Sequence, residues 1–186
     1  ILTCDNGIAA EKQVQLANEL GMKVLVTDHH EVPYEQGETG IRFCLPPAEA
    51  VIDPKQPDCT YPFRDICGAL VAYKVIQALM QRMDPENGKK AEDRFLPFAA
   101  LGTVCDVMPL RDENRIVVKE GLKELRLRPS TGLLALMQVN GLTPAAVNTY
   151  QLGFVLGPCM NSSGRLDTAL RAMELLTCTD IEKAIP

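Results

Sequence analysis

One pattern near the start of the chain constrains the fold more than any other. Ile1-Leu2-Thr3 reads as the end of a buried strand, and Cys4-Asp5-Asn6-Gly7 after it is a turn signal. Ala9 to Leu20 places Val14, Leu16, Ala17 and Leu20 at helical spacing, and Gly21 stands where a glycine ends a helix. Met22 to Thr27 is a short β-branched run, expected to be a second buried strand, and it ends in Asp28-His29-His30. Strand, helix and strand within about thirty residues make a βαβ unit, and a crossover of that length implies a parallel sheet.

The pattern changes after that unit. Glu31 to Pro47 is rich in proline, glycine and charge and is expected to be a loop. Ala50-Val51-Ile52 reads as another short strand closed by Asp53-Pro54, and Pro57 to Asp65 as irregular chain. Helical spacing then dominates: Ile66 to Met83, Asp93 to Val107 after a polar loop at 84–90, Glu113 to Leu125, Gly132 to Val139, Pro144 to Leu156 and Leu166 to Leu176. Thr143 is the expected N-cap of the Pro144 helix, with the proline in its first position. The expected fold is therefore α/β: a parallel sheet flanked by helices, followed by a mostly helical segment. The division is 1–110 for the α/β core and 111–186 for its helical continuation.

Composition narrows the class. Of the 186 residues, 46% are hydrophobic and 23% charged, enough apolar material for a sizeable core. No apolar run approaches the ~18 residues that span a bilayer. The seven cysteines, an odd number, include no C-x-x-C pair, which points away from a disulfide framework or a zinc site and toward a reducing cytoplasm. The net charge of −5 does not suggest a broadly basic nucleic-acid-binding surface, although carboxylates are what a metal centre requires. Ile1 opens directly into an apolar run with no initiating Met, so the chain reads as an internal piece of a longer protein, truncated at both ends.

Three clusters carry the chemistry. Asp5 follows the first strand, Asp28-His29-His30 follows the second, and Asp106 ends an apolar helical run. Ligands of open parallel sheets bind beyond the carboxyl ends of the strands, where Asp5 and the Asp28 cluster both fall. Mixed carboxylate and imidazole donors suit Mn²⁺ better than Mg²⁺, which prefers oxygen and water. A pair of such ions about 3.5–4 Å apart can clamp the attacking and leaving oxygens of a phosphoryl displacement. Each cluster also has a plainer reading: Asp5 as a turn residue, Asp28 as a helix N-cap, the His pair as the start of a polar loop, Asp106 as a cap. A last motif, Leu156-Gly157-Pro158 followed by Asn161-Ser162-Ser163-Gly164-Arg165, reads either as a loop between helices or as a close backbone approach with an arginine for a phosphate.

The order and local text of these motifs resemble the DHH phosphoesterase superfamily, whose triplet stands here as Asp28-His29-His30, preceded by Cys4-Asp5-Asn6-Gly7-Ile8. Ala100-Leu101-Gly102-Thr103-Val104-Cys105-Asp106-Val107-Met108-Pro109-Leu110 with Glu113-Asn114-Arg115, and the Leu156–Arg165 stretch, are similar to its RecJ-type exonuclease branch. Ile66-Cys67-Gly68-Ala69 and Ile52-Asp53-Pro54 match as well, so the resemblance covers most of the chain.

The resemblance implies a metal-dependent exonuclease that degrades single-stranded DNA from the 5′ end to 5′-mononucleotides in DNA repair and recombination. It implies Asp5, His29 and Asp106 as metal ligands and His30 facing the scissile phosphate. Asp28 would orient the His pair, and Asn161, Gly164 and Arg165 would lie near the substrate phosphate. The cofactor would be Mn²⁺ or Mg²⁺, two ions in the intact enzyme and at most one well held here. Single-stranded DNA is the expected partner, together with a single-strand-binding protein. The superfamily's first motif, an Asp-x-Asp, has no counterpart in the chain, and its small C-terminal substrate domain would lie after residue 186. Cys159 stands where the branch often has Arg, and Ser162-Ser163 where it often has Ala-Ala. The chain alone is therefore expected to bind one ion weakly and to have little nuclease activity. The alternatives are another member of the superfamily, acting on short oligoribonucleotides, cyclic dinucleotides or pyrophosphate, or a non-catalytic nucleic-acid-binding relative.

Overall fold

The structure, a computed structural model, describes residues 1–38, 40–86, 88, 93–166 and 168–185; the side chains of 165 and 166 lie outside that description. The expected polar loop at 84–90 falls partly on residues outside it.

The βαβ unit forms with shorter strands than expected: the first is a single bridge at Leu2 and the second covers Leu25–Thr27 of the expected Met22–Thr27. Helix α1 spans Glu11–Glu19 and ends through Gly21, whose φ of +76° is open to glycine at no steric cost. Strand β1 is Leu25–Thr27. It pairs in parallel with Ala50–Ile52, in the register Leu25↔Ala50, Val26↔Val51 and Thr27↔Ile52. On its other side the N-terminal residues add a parallel rung: Leu2 bridges Leu25, Thr3 N–H donates to Leu25 O at 3.0 Å and Asp5 N–H to Thr27 O at 3.1 Å. Val14 and Ala17 of α1 bury against Val24 and Val26, with Ala48 and Val51 beside them.

Ile1 and Leu2 pair as a strand edge and are 61% and 62% exposed in these 186 residues. Leu16 and Leu20 of α1 are exposed as well, while Val14 and Ala17 form its buried face. One expectation fails in this half: the stretch 31–47 is not all loop, for Tyr34–Gly37 (β2) and Gly40–Phe43 (β3) form an exposed antiparallel hairpin. Its Tyr34–Phe43 edge-on pair and Glu35–Arg42 ion pair stabilise it locally, with no buried face to produce a clear alternation in the sequence. The Ala50–Ile52 strand is β4.

The remainder is helical. Helix α2 (Gly68–Met83) starts two residues later than expected, because Cys67 is its N-cap and its sulfur accepts from Leu70 N–H. Helices α3 (Leu96–Cys105) and α4 (Asp112–Leu127) follow, then α5 (Thr131–Val139), capped by the Ser130 hydroxyl. Two cores result. Ile66, Leu70, Val71, Ala99 and Val117 close one beneath the sheet end, while Leu125, Leu133, Met137, Leu152 and Leu156 close the other farther along the chain.

The expected Pro144 helix is only a 3-10 turn, Pro144–Ala146, and Thr143 makes no side-chain cap. A new helix begins at Thr149, where Asn148 and Gln151 form a capping box. It runs through Thr149–Gln151 (α6), a π-helical stretch Leu152–Leu156 and Gly157–Leu166 (α7), before α8 (Ala169–Thr177) and α9 (Ile181–Ala184). The Gly157–Gly164 motif therefore lies within a helix and not between two.

Candidate metal centre

Asp5, Asp28 and the His pair reach one place because their strands end side by side. Two threonines lock those ends. Thr27 Oγ1 donates to Thr3 O at 2.7 Å, and Thr27 N–H donates to Thr3 Oγ1 at 3.2 Å. Beyond the lock the chain turns sharply: Asp5 takes φ 60°, a left-handed conformation that aspartate tolerates better than most residues.

Asp28 is 1% exposed and acts as an anchor. Its Oδ2 accepts Ile8 N–H at 2.9 Å, and its Oδ1 accepts His29 N–H at 2.8 Å, His30 N–H at 3.3 Å and the His30 ring at 2.7 Å. Burial pushes this carboxyl up, but the hydrogen bonds from Ile8, the His30 ring and the two backbone amides outweigh it and hold it below the ordinary aspartate range. An ionised Asp28 only accepts, so His30 Nδ1 carries the proton and Nε2 faces outward. That hydrogen bond, with the nearby charges of Asp28, Asp5 and Asp106, raises the His30 pKa against the opposing effect of burial.

His29 is the buried member of the pair, 8% exposed. Its Nε2 lies 3.0 Å from Asp5 Oδ1 and 3.6 Å from Asp106 Oδ2. Donor atoms of Asp5, His29 and His30 all fall within 4.8 Å of one another. Ligands at right angles around an ion, each about 2.1 Å from it, stand ~3 Å apart, so the 3.0 and 3.6 Å distances from His29 Nε2 to Asp5 and Asp106 suit a single divalent cation. The mixed nitrogen and oxygen donors fit a Mn²⁺-like ion.

Two glycines allow the approach. Gly68 opens α2 against Asp5: a Cβ at 68 would lie 2.5 Å from Asp5 Oδ1. At Gly157 a Cβ would lie 2.4 Å from Cys105 Sγ, so the start of α7 presses on the residue before Asp106. Asp106 itself is the C-cap of α3, and Val107 after it is forced to φ 56°.

The sequence-based site residues therefore separate into two groups. Asp5, Asp28, His29, His30 and Asp106 converge. Asn161 and Gly164 are exposed on α7 and, among the described residues, make no hydrogen bond to that cluster. The Arg165 side chain lies outside the described residues. Ser162 and Ser163 donate back to Cys159 O and Met160 O, so their hydroxyls are engaged within the helix.

Two contributors were given no site role from the sequence, although both lie in stretches that match the family. Gly68 gives way to Asp5, and Asp53, at the end of β4, is buried beside the centre at 2% exposed. Asp53 had two sequence signals, its place closing a β-branched run as Asp5 and Asp28 do and the match of Ile52-Asp53-Pro54 to the family, but neither gave it a role. All seven cysteines are free thiols.

The fold that carries this centre has counterparts. Residues 1–103 match the model of the DHH family, N-terminal domain, and the chain belongs to that family. It is 39% identical over 180 residues to the single-stranded-DNA-specific exonuclease RecJ of Bacillus subtilis, covering 97% of this chain and 21% of that protein. With the Escherichia coli RecJ it shares 37% over 194 residues, 99% of this chain and 32% of the relative. The crystal structure of RecJ from Thermus thermophilus in complex with Mn²⁺ superposes with a TM-score of 0.76 at 32% identity, over 98% of this chain and 25% of that one. A second structure, exonuclease RecJ bound to manganese, gives 0.77 at 31% identity, over 98% and 43%. The chain thus spans between about a fifth and a third of the length of these two sequence relatives.

Proposed function

We propose that this chain is an internal part of the catalytic domain of a metal-dependent exonuclease that hydrolyses single-stranded DNA from its 5′ end to 5′-mononucleotides, using Mn²⁺ or Mg²⁺. The observation that carries the reading is the convergence of Asp5, His29 and Asp106, with Asp5 Oδ1 and Asp106 Oδ2 both within 3.6 Å of His29 Nε2. The RecJ relatives named above supply the substrate class and the metal. Residues 1–110 would hold the chemistry, and 111–186 would brace it and lead toward a substrate-binding domain. A cytoplasmic setting is part of this proposal, in keeping with the seven free thiols. Among the described residues no helix is long and apolar enough to cross a membrane. A single-strand-binding protein is a proposed partner.

Asp5, His29 and Asp106 would hold the ion. When bound, it supplies Lewis-acid polarisation of a phosphoryl oxygen. His30 is held by Asp28 with its Nε2 directed outward, toward the place of the scissile phosphate. Water attacks phosphorus in line, the bond from phosphorus to the 3′ oxygen breaks, and a protonated His30 can deliver a proton to that leaving oxygen. Asp28 keeps the ring in register through its anchoring bonds to Ile8 and His29. Asn161, Gly164 and Arg165 would follow the DNA backbone along α7.

The test uses the full-length protein with Mn²⁺ and single-stranded DNA labelled at either end, beside a His29→Ala control. Early release of the 5′ label as mononucleotide, absent in the control, supports the proposal. Hydrolysis of short oligoribonucleotides or cyclic dinucleotides with DNA untouched would move the protein to another DHH branch. DNA binding without any hydrolysis would make it a non-catalytic relative.

A further inference from the structure

Two buried polar atoms near the centre have no hydrogen-bond partner among the described residues: His29 Nδ1 and Asp53 Oδ2. One is a ring nitrogen able to donate, the other a carboxylate oxygen able to accept. Both residues are almost wholly enclosed, at 8% and 2% exposure. They stand at the ends of neighbouring parallel strands. The Thr27↔Ile52 pair closes the β1–β4 register, and Asp28 N–H then donates to Ile52 O at 3.0 Å, which brings the residues after Thr27 alongside Asp53. The other carboxylate oxygen of Asp53, Oδ1, is occupied by Lys55 N–H at 2.8 Å, which fixes the side chain and leaves Oδ2 as the available acceptor.

We propose that Asp53 is a positioning residue for His29: its Oδ2 accepts the hydrogen bond of His29 Nδ1–H, through at most one buried water, and so holds Nε2 unprotonated toward Asp5 and Asp106. The inference rests on the reading of His29 as a metal ligand. An imidazole that ligates through one nitrogen carries its proton on the other, and a carboxylate on that proton fixes the ring and raises its basicity. Asp28 cannot serve His29 in this way, because its oxygens are taken by three backbone amides and the His30 ring. The two histidines are thus held by two carboxylates from adjacent strand ends, Asp28 for His30 and Asp53 for His29. A buried water would satisfy both atoms at a polar site of this kind.

The full-length protein is labelled with ¹⁵N-histidine, and the His29 and His30 ring resonances are assigned with His29→Gln and His30→Gln. The protein is loaded with Zn²⁺, a diamagnetic ion, and the proton position on His29 is read from the ring ¹⁵N shifts, in the wild type and in Asp53→Asn. Asparagine keeps the size of the side chain and an acceptor for Lys55 N–H but turns an N–H₂ group toward His29. Expected are a proton on Nδ1 in the wild type, loss of that tautomer in the variant, and an Mn²⁺ dissociation constant raised by about tenfold or more. An unprotonated Nδ1 in the Zn²⁺-loaded wild type overturns the proposal without needing any variant to fold. An unchanged tautomer and Mn²⁺ affinity in a folded Asp53→Asn overturns it equally. If Zn²⁺ fails to move the His29 Nε2 resonance at all, the metal-ligand reading falls and this inference falls with it, a result distinct from the other two.

Discussion

Gly68 and Asp5 touch across the gap between the first turn of α2 and the first strand end, leaving no room for a Cβ at 68: the added carbon would lie 2.5 Å from Asp5 Oδ1. The glycine therefore sets the position of a proposed metal ligand from a helix distant in sequence. Gly68→Ala should leave α2 intact, since alanine is the better helix former. It should displace the Asp5 carboxylate and weaken Mn²⁺ binding by about tenfold or more, the scale found when a ligand loses its support. Calorimetric titration of Mn²⁺ beside thermal unfolding checks both; unchanged affinity would show that Asp5 has room to yield.

The two histidines should separate by function. His29 faces Asp5 and Asp106, whereas His30 is tied to Asp28 and points outward. His29→Ala should abolish measurable Mn²⁺ binding. His30→Ala should leave the affinity within about tenfold, since it removes no proposed ligand but disturbs Asp28, which supports His29. Equal losses in both variants would make His30 a ligand as well.

Val107 carries strain. It is β-branched, 87% exposed and held at φ 56°, just after Asp106 caps α3. Glycine at this position should stabilise the protein by about 1 kcal/mol or more, since a non-glycine residue in a sparsely populated conformation costs of order 1–3 kcal/mol. Denaturant unfolding reads the difference, and a destabilised Val107→Gly would mean that the valine makes compensating contacts.

Gly157→Ala should destabilise by about 1–3 kcal/mol, the usual cost of overpacking, because the new methyl meets Cys105 Sγ at 2.4 Å. It also meets the Leu152 carbonyl at 3.0 Å, so part of the clash does not involve the sulfur. Cys105→Ala should recover a portion of the loss, making the double variant more stable than the sum of the two single effects predicts. Strict additivity would place the strain at Leu152 instead.

A polar cluster borders the core that Ile66, Leu70, Val71 and Val117 close. The Lys74 ammonium pairs with Glu113 and lies 5.9 Å from the Tyr61 ring centroid, while Tyr61 Oη donates to Glu113 at 2.5 Å. Burial works to lower the Lys74 pKa, but the pairing with Glu113 outweighs it and leaves the value raised above 10.5. The stabilisation from a raised lysine pKa is complete below the unfolded value and is lost as pH climbs through the folded one. Lys74→Met should therefore lower the melting temperature near neutral pH, and the gap from wild type should close only in the alkaline range above about 10.5. A gap that is constant with pH would assign the loss to packing of the lysine stem.

The sequence by itself determined the βαβ unit, the parallel sheet and the acidic and imidazole residues at the strand ends. These are local: β-branched runs, helical spacing and Gly21 act over a few residues and need no distant partner. It also located Asp106 at the end of an apolar helix, as the α3 cap confirms. Only the tertiary structure decided what depends on contact between distant segments. The exposed hairpin at Tyr34–Phe43 has no buried face and so no clear alternation to read. The Gly157 motif is helical because α7 packs against Cys105, a contact that small residues permit but do not announce. Asp53 shows the division most clearly. Its position after a strand was visible in the sequence, but its free oxygen beside His29 exists only because β1 and β4 pair in one particular register, which long-range hydrogen bonds set.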